Sequence, residues 1–143
     1  MDKTIFFLEK MADLIDDVIK KDKRTYFQVE EKNLLQVVDF LFNDLHCRLS
    51  TATATETYHN IQVLYHFSHD KSGSYFCPRV IIKDKNKPQT LSITPIVKGA
   101  EWIEREMFEF WGINFKNHPR MERLLSRDHP QNLDKPLRFR RSV

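Results

Sequence analysis

Apolar side chains recur at helical spacing near the start of the chain. From Ile5 to Ile19 they fall on one side of a helix, so the pattern predicts an amphipathic helix over about residues 2–20. The cations at 20–24 would then complement the negative end of the helix dipole. Acidic residues on the polar side disfavour a membrane-surface role, because membrane-surface helices carry Lys and Arg there. Residues 25–30 follow as a short predicted strand.

A second helix is predicted directly after this strand. Asn33 is the expected N-cap, because a side-chain oxygen at that position accepts a hydrogen bond from the first helical turn. The apolar positions that indicate the helix are Leu34, Val37, Val38, Leu41, Phe42 and Leu45. Their spacing gives one broad apolar side, which is typical of a helix that covers a core.

The pattern changes to a period of two after Cys47. Such alternation predicts strands with one buried face. The predicted strands are Thr51–Thr57, Ile61–Ser68, Tyr75–Lys83 and Thr90–Val97. Short turns separate them, which favours an antiparallel meander over crossover units. The predicted fold class is therefore α+β, with two N-terminal helices, an antiparallel sheet, a further helix and an extended basic C-terminal tail.

The further helix, over Ala100–Trp111, is the most distinctive stretch of the sequence, and we call it the motif helix. Its predicted apolar arc consists of Ile103, Met107, Phe110 and Trp111. Glu101, Arg105 and Glu109 form a charged ladder on the opposite side, spaced four residues apart. Gly112 is the expected left-handed residue that ends the helix.

Two aromatic residues of the motif helix lie beside its charged side. Trp102 and Phe108 project where a helix that only covers a core would be polar. Either the C-terminal tail of the chain folds over these rings, or a partner protein covers them. Glu104 and Glu106 flank the apolar arc, and paired carboxylates can act as acid and base. The sequence shows no nucleophile, metal set or phosphate loop near them, so catalysis is the weaker interpretation.

Charge is distributed unevenly along the 143 residues. From Lys116 onward there are eight Lys and Arg against three Asp and Glu, whereas the rest of the chain is slightly acidic. A basic tail raises the alternative of a small nucleic-acid-binding domain. However, Pro119, Pro130 and Pro136 favour an extended arm, since proline fixes φ and removes a hydrogen-bond donor. We therefore expect a domain over residues 1–115 and an extended Pro-rich tail over residues 116–143.

Several kinds of chemistry lack their usual sequence signals. Cys47 and Cys77 have no Cys-x-x-Cys partner, and clusters or structural zinc sites usually need four ligands, so buried reduced thiols are the expected state. The three glycines are too scattered for a dinucleotide or phosphate loop. No stretch approaches a membrane span, and acidic residues among the first apolar ones disfavour a signal peptide. We expect a cytoplasmic chain that binds no cofactor and has no catalytic centre.

The motif helix and the residues after it resemble the signature of a known family. In order, the matching residues are Glu104-Arg105-Glu106, Glu109, Gly112-Ile113, His118-Pro119 and Arg123-Leu124-Leu125. This run resembles the 30 kDa subunit family, which includes a peripheral-arm subunit of respiratory complex I and its counterparts in energy-converting [NiFe] hydrogenases and formate hydrogenlyase. One position departs, because Glu122 stands where the family usually has the first of two arginines.

The resemblance implies a non-catalytic subunit that packs on the large, hydrogenase-like or 49 kDa-like subunit of a membrane-bound redox complex. A small iron–sulfur subunit is the second expected partner. The partners would carry [4Fe-4S] clusters and, in a hydrogenase, a NiFe centre. The complex would lie on the cytoplasmic face of the membrane. The expected partner interface consists of Trp102, Glu104, Arg105, Glu106, Phe108, His118, Pro119 and Arg123.

The short chain, with Thr94-Pro95 before the motif, favours the hydrogenase branch of this family. The alternative is the equivalent subunit of an NADH- or F420H2:quinone oxidoreductase. His118 has two interpretations within either branch. It can carry protons, since its ordinary pKa is close to neutral, or it can act as a structural clip just past the helix end. The clip is the favoured interpretation.

Overall fold

A computed structural model of the chain describes residues 2–122 and 137–138. Its helices are α1 (Lys3–Met11), α2 (Glu31–Asp39) with a π-helical turn (Phe40–Asp44), and α3 (Glu101–Trp111) preceded by a 3-10 turn (Lys98–Ala100). Its strands are β1 (Ile15–Lys21), β2 (Arg24–Val29), β3 (Arg48–Glu56), β4 (Ile61–His69), β5 (Ser74–Ile82), β6 (Gln89–Leu91) and β7 (Asn114–Lys116). The α+β class is confirmed, and α3 is the predicted motif helix.

The main sheet has five strands in the order β1-β2-β5-β4-β3. All neighbouring pairs are antiparallel except β2 and β5, which run parallel, so the sheet is mixed where a purely antiparallel one was expected. The reason lies in the connection through α2, which carries the chain from β2 to the far edge of the sheet. The hairpins β3–β4 and β4–β5 then return it and place β5 against β2. Alternation within a single strand carries no information about this pairing.

The predicted first helix over residues 2–20 is wrong beyond Met11. Asp2 caps α1 by accepting a hydrogen bond of 2.8 Å from the backbone N–H of Thr4. Ile15–Lys21 then forms an edge strand that pairs with β2 through a turn at Asp22, where φ is 54°. The apolar spacing from Ile15 to Ile19 fits a helix as well as a bulged strand. Pairing with β2 decides between them, as tertiary context often does for short apolar runs.

Two other boundaries differ from the predictions. The second helix begins at Glu31 with Glu30 as its N-cap residue, so Asn33 lies inside the helix and does not cap it. The last predicted strand, Thr90–Val97, is limited to β6, which pairs in parallel with β7 as a separate two-stranded sheet. The expected domain boundary after residue 115 therefore falls within β7. Residues 123–136 and 139–143 of the predicted tail lie outside the described residues.

One face of the main sheet packs against the helices and forms the core. Phe7 of α1 lies with its ring centroid 5.0 Å from the rings of both Phe27 and Phe76. Tyr65 and Phe67 of β4 point to the same side and are completely buried. We call this side the inner face. Because successive side chains of a strand point to opposite faces, the intervening residues form the other side of the sheet.

Candidate functional site

Helix α3 is oriented differently from the predicted helical wheel. Arg105 and Glu109, expected opposite the apolar arc, are both only 4% exposed. Ile103 and Trp111, expected to be buried, are half-buried. The predicted end of the helix is confirmed, because Gly112 adopts a left-handed φ of 75° and its N–H donates to the Phe108 carbonyl. Met107 of the predicted apolar arc is buried as expected, so the orientation differs in part. One cause is an acidic side chain directed into the core.

Glu104 is that side chain, and it is completely buried. Its Oε2 accepts hydrogen bonds from the Tyr65 hydroxyl at 2.8 Å and from the Ile93 backbone N–H at 3.0 Å. Its Oε1 accepts from the Ser92 hydroxyl at 2.5 Å. Ser92 is in turn 2.7 Å from the Thr94 hydroxyl. The carboxylate therefore joins α3 to the inner face of β4 and to the turn after β6.

The environment of Glu104 affects its ionisation. Burial raises the pKa of the Glu104 carboxyl from its usual 4.5, while the hydrogen bonds from Ser92, Ile93 and Tyr65 act in the opposite direction. Burial, together with the neighbouring carboxylate, also raises the pKa of the Tyr65 hydroxyl well above its ordinary value. Tyr65 therefore remains a donor to Glu104 at neutral pH.

The raised pKa predicts a pH dependence that can be measured against the variant Glu104→Gln. The folded state holds the Glu104 proton more tightly than the unfolded state, so the carboxyl contributes stability below its unfolded pKa of 4.5. That contribution is lost as pH rises through the raised folded-state pKa. We expect the free energy of unfolding of the native chain, relative to Glu104→Gln, to fall with pH across this window in urea titrations. A relative stability that rises with pH would contradict the assignment.

Trp102 and Arg105 form a pair on the surface of α3. The guanidinium of Arg105 lies 5.6 Å from the centroid of the Trp102 ring, within cation–π range. The Arg105 Nε donates to the Glu122 backbone carbonyl at 3.0 Å. Glu122 therefore contacts the motif through its backbone at the position where the family usually has arginine. Arg105 fixes one side of the indole, yet Trp102 remains 62% exposed.

The described part of the C-terminal tail meets α3 at its other end. The Leu137 N–H donates to the Phe110 carbonyl at 3.0 Å, next to the end of the helix. The expectation that the tail covers Trp102 is not fulfilled by residues 137–138. Phe108 is half-buried, and Glu106 is exposed. Glu104 and Glu106 therefore point to opposite sides, into the core and into solvent, so the hypothetical acid–base pair is not formed.

His118 acts as the predicted structural clip. Its Nδ1 accepts from the Arg120 backbone N–H at 2.9 Å, which leaves Nε2 to donate to the Glu101 carbonyl at 3.0 Å. The imidazole thus holds the segment after β7 against the start of α3. Pro119 is exposed beside it. Arg123, the last of the expected interface residues, lies outside the described residues.

A second charged cluster, which sequence reasoning missed, lies at the other end of α3. Glu56 accepts from Arg138 Nε and pairs with Lys85 Nζ, both at 2.8 Å, and its side chain is only 4% exposed. Arg138 also donates to the carbonyls of Trp111 and Lys85. The cluster borders an open cavity of about 790 Å³. Glu56 and Arg138 are 82 residues apart, so no local pattern indicates their contact.

Cys47 and Cys77 are buried free thiols, as expected, and burial raises their pKa values to about 12 and about 11. Within residues 2–122 and 137–138, no group of three or more His, Cys, Asp or Glu side chains is arranged to hold a metal ion. None of the helices in this part of the chain combines the length and the apolar character needed to cross a bilayer.

Comparison with known proteins gives consistent matches. A family model described as "Respiratory-chain NADH dehydrogenase, 30 Kd subunit" matches residues 27–141, which is more than half of the chain. The chain is 32% identical over 121 residues to the C subunit of the NADH-quinone oxidoreductase of Mesorhizobium japonicum, and 36% identical over 118 residues to that of Ruegeria pomeroyi. Both alignments cover 76% of this chain, which spans only 58% of the length of either relative.

A third relative has a compound name. The C/D subunit of the NADH-quinone oxidoreductase of Bacteroides thetaiotaomicron is 33% identical over 75 residues, covering 52% of this chain and 14% of that protein.

Among solved structures, the membrane-bound sulfane sulfur reductase, an archaeal respiratory membrane complex, matches at a TM-score of 0.72 and 20% identity. The match covers 94% of this chain and 76% of the other. A trypsin-resistant fragment of Nqo5 matches at 0.62 and 16%, covering 82% and 97%. These two likenesses confirm the fold.

Proposed function

The chain belongs to the respiratory-chain NADH dehydrogenase 30 kDa subunit family, and on that premise we propose that it is a non-catalytic peripheral-arm subunit of a membrane-bound redox complex. In this proposal it packs on the large catalytic subunit through the exposed side of α3. The charges of the motif act inside the chain or at its edge, where they fix the position of the helix. The partner then contacts Trp102, Glu106, Phe108 and Pro119.

The exposed indole of Trp102 is the observation that carries this proposal. It is 62% exposed. Large aromatic side chains contribute most to stability or binding when they are removed from water, so a partner that buries this ring gains binding energy. The Arg105 guanidinium orients the ring, and Arg105 is itself held by the backbone of Glu122. A preoriented tryptophan on a rigid helix is typical of the centre of a protein interface, where a few aromatic and Arg residues dominate binding.

The name of one relative supports a specific partner. The Bacteroides thetaiotaomicron protein carries the double designation C/D, and the segment that matches this chain is only 14% of its length. We infer that the large partner of this chain corresponds to the D portion of that double name. The names of the relatives favour the NADH-quinone oxidoreductase branch over the hydrogenase branch predicted from the short chain.

Redox centres belong to the partners in this proposal. The large and small partner subunits would carry [4Fe-4S] clusters and, in the hydrogenase branch, a NiFe centre. The chain itself would bind none, and it would lie on the cytoplasmic face of the membrane through its partners. The branch can be decided by sequencing the large subunit that co-purifies with the native chain. Two Cys-x-x-Cys pairs in that subunit would indicate a hydrogenase, and their absence would indicate a quinone reductase.

Trp102→Ala is the direct test of the α3 interface. We expect at least about 30-fold weaker binding of the large subunit, because a central interface tryptophan contributes about 2 kcal/mol or more. The stability of the isolated chain should fall by no more than about 1 kcal/mol, since the ring is mostly exposed and loses only its cation–π contact with Arg105. Affinity can be measured by titrating the purified chain into complex that lacks it.

Tyr58→Ala is the matched control, because Tyr58 is 80% exposed and borders the cavity beside Glu56 and Arg138, at the opposite end of α3 from Trp102. It should leave the affinity unchanged. Equal losses for both variants would indicate non-specific aromatic contacts. An unchanged affinity for Trp102→Ala would show that α3 does not form the interface.

A further inference from the structure

The side of the main sheet opposite the helices carries side chains that the described residues leave partly open. We call it the outer face, and by register its partly open central residues include Tyr26, Gln28, Gln62, Leu64, Arg79 and Ile81, while Cys77, opposite Tyr26 on the same face, is buried. All six are intermediate in burial, whereas their neighbours along the strands, such as Phe27, Val63 and Val80, are buried on the inner face. Within the described residues, the helices lie on the inner side.

Arg79 occupies the middle of the outer face. It is on β5, opposite Gln28 of β2 and Leu64 of β4. Its Nε is buried and has no hydrogen-bond acceptor among the described residues. A buried guanidinium donor without an acceptor is costly, and most such groups in folded proteins are satisfied. Arg79 as a whole is partly exposed, so an incoming carboxylate can pair with the open part of its guanidinium, whose fork matches carboxylate geometry.

The charges of the outer face are mostly positive. Lys21 and Arg24 share one row of the face by register, and the guanidinium of Arg24 lies 5.3 Å from the centroid of the Tyr75 ring. Asp16, on the edge strand β1, is the carboxylate that the register places on the same side. Arg48, which lies opposite Ser68 of β4, is on the same face and forms an ion pair with Asp70. Among these residues four cations outnumber two carboxylates, and aliphatic side chains are exposed beside them, so the face complements an acidic and partly apolar protein surface.

The position of α3 separates this surface from the interface proposed above. Glu104 of α3 bonds the hydroxyl of Tyr65, which is an inner-face residue, so the helix and the exposed ring of Trp102 lie on the inner side of the sheet. A subunit seated on Trp102 does not reach Arg79 through the sheet. The two surfaces are therefore available to two different neighbours.

We infer that the outer face binds a second protein subunit, which presents carboxylates to Arg79 and Arg24 and aliphatic side chains to Leu64 and Ile81. The inference rests on the proposed function, and it makes this chain a bridge between two subunits of the complex. A protein is a better fit than nucleic acid. The mixture of Arg, Tyr and aliphatic residues is typical of protein interfaces, whereas phosphate backbones need denser positive charge.

The test uses the full chain in its native complex, with charge reversals on and off the outer face. Arg79→Glu should lower the recovery of one neighbouring subunit by about tenfold or more, because it places like charges in contact. Thr53→Glu is a second variant that does not disturb the core, since Thr53 is exposed on β3 beside Leu64. It should have the same direction of effect. Lys87→Glu makes the same charge change as Arg79→Glu on an exposed loop and should have none.

The outcomes distinguish this inference from the α3 interface. Loss of the large subunit in Trp102→Ala, with full assembly in Arg79→Glu and Thr53→Glu, would overturn the inference and leave the proposed function intact. A photo-cross-linker at Gln62 should join the chain to an Asp- or Glu-rich segment of a second subunit, identified by mass spectrometry. A cross-link to residues 123–136 of the chain itself, a cross-link to nucleic acid, or no cross-link would overturn it.

Discussion

Glu104→Leu is expected to destabilise the isolated chain by about 3–5 kcal/mol. Leucine has a similar size but accepts no hydrogen bond, so three buried donors lose their acceptor: the hydroxyls of Tyr65 and Ser92 and the N–H of Ile93. Each costs about 1–3 kcal/mol when left unsatisfied, and removal of the buried charge offsets part of the sum. The change is a large fraction of the roughly 5–15 kcal/mol typical of folded domains. Urea unfolding followed by tryptophan fluorescence measures it.

Two controls isolate the hydrogen bonds from other effects of the substitution. Glu104→Gln keeps an acceptor for Tyr65 and Ile93 and can donate to Ser92, so its cost should stay below about 1.5 kcal/mol. Glu106→Leu makes the same chemical change two residues later, where the side chain is exposed, and should cost less than about 0.5 kcal/mol. A loss for Glu104→Leu no greater than that for Glu106→Leu would contradict the role assigned to the carboxylate.

The buried position of Glu104 also affects how assembly defects are interpreted. Glu104 belongs to the family signature, yet its oxygens bind donors of its own chain and its side chain is completely buried. If a Glu104 variant fails to assemble, the cause is therefore the displacement of α3 and not the loss of a direct contact with the partner. Because Trp102 is exposed, substituting it should affect binding of the partner with little effect on folding. The signature thus combines residues that hold the helix in place with residues on its open side.

The sequence predicted those parts of the fold that depend on local chemistry. The motif helix and its left-handed end at Gly112 follow from spacing and from the freedom of glycine at positive φ. Strands β3, β4 and β5 follow from alternation, because most of their inner-face residues are apolar and the intervening residues of β3 and β4 are mostly polar. The structural role of His118 followed from its place just past a helix end, within reach of backbone carbonyls.

The parts that could not be predicted depend on contacts between distant residues. The helical wheel placed Glu104 beside the apolar arc but did not predict its burial, because the Tyr65 hydroxyl that binds it lies 39 positions earlier in the chain. The strand β1 was predicted as helix because its apolar residues fit either period, and only pairing with β2 distinguishes them. The parallel pair β2–β5 and the contact of Glu56 with Arg138 could not be predicted for the same reason, since each joins residues that are far apart in the sequence.

Glu56→Ala is expected to cost about 3–5 kcal/mol, since it removes the buried carboxylate that Lys85 and Arg138 share. The side chains of the two cations are only 23% and 15% exposed, so water replaces the lost carboxylate poorly. Their mutual repulsion then also opposes the contacts of Arg138 with the Trp111 and Lys85 carbonyls. We expect lower stability in urea and faster trypsin cleavage after Arg138, measured by mass spectrometry.

Glu30→Ala is the matched control, because Glu30 forms an ion pair with Lys32 in which the side chains are 58% and 77% exposed. Exposed pairs contribute between zero and about 1 kcal/mol, so this variant should be nearly neutral. In the double variant Glu56→Leu with Arg138→Leu, neither the carboxylate nor the guanidinium remains, so it should recover part of the lost stability relative to Glu56→Ala. Cleavage after Arg138 at the native rate in Glu56→Ala would show that the ion pair does not hold Arg138 against the end of α3.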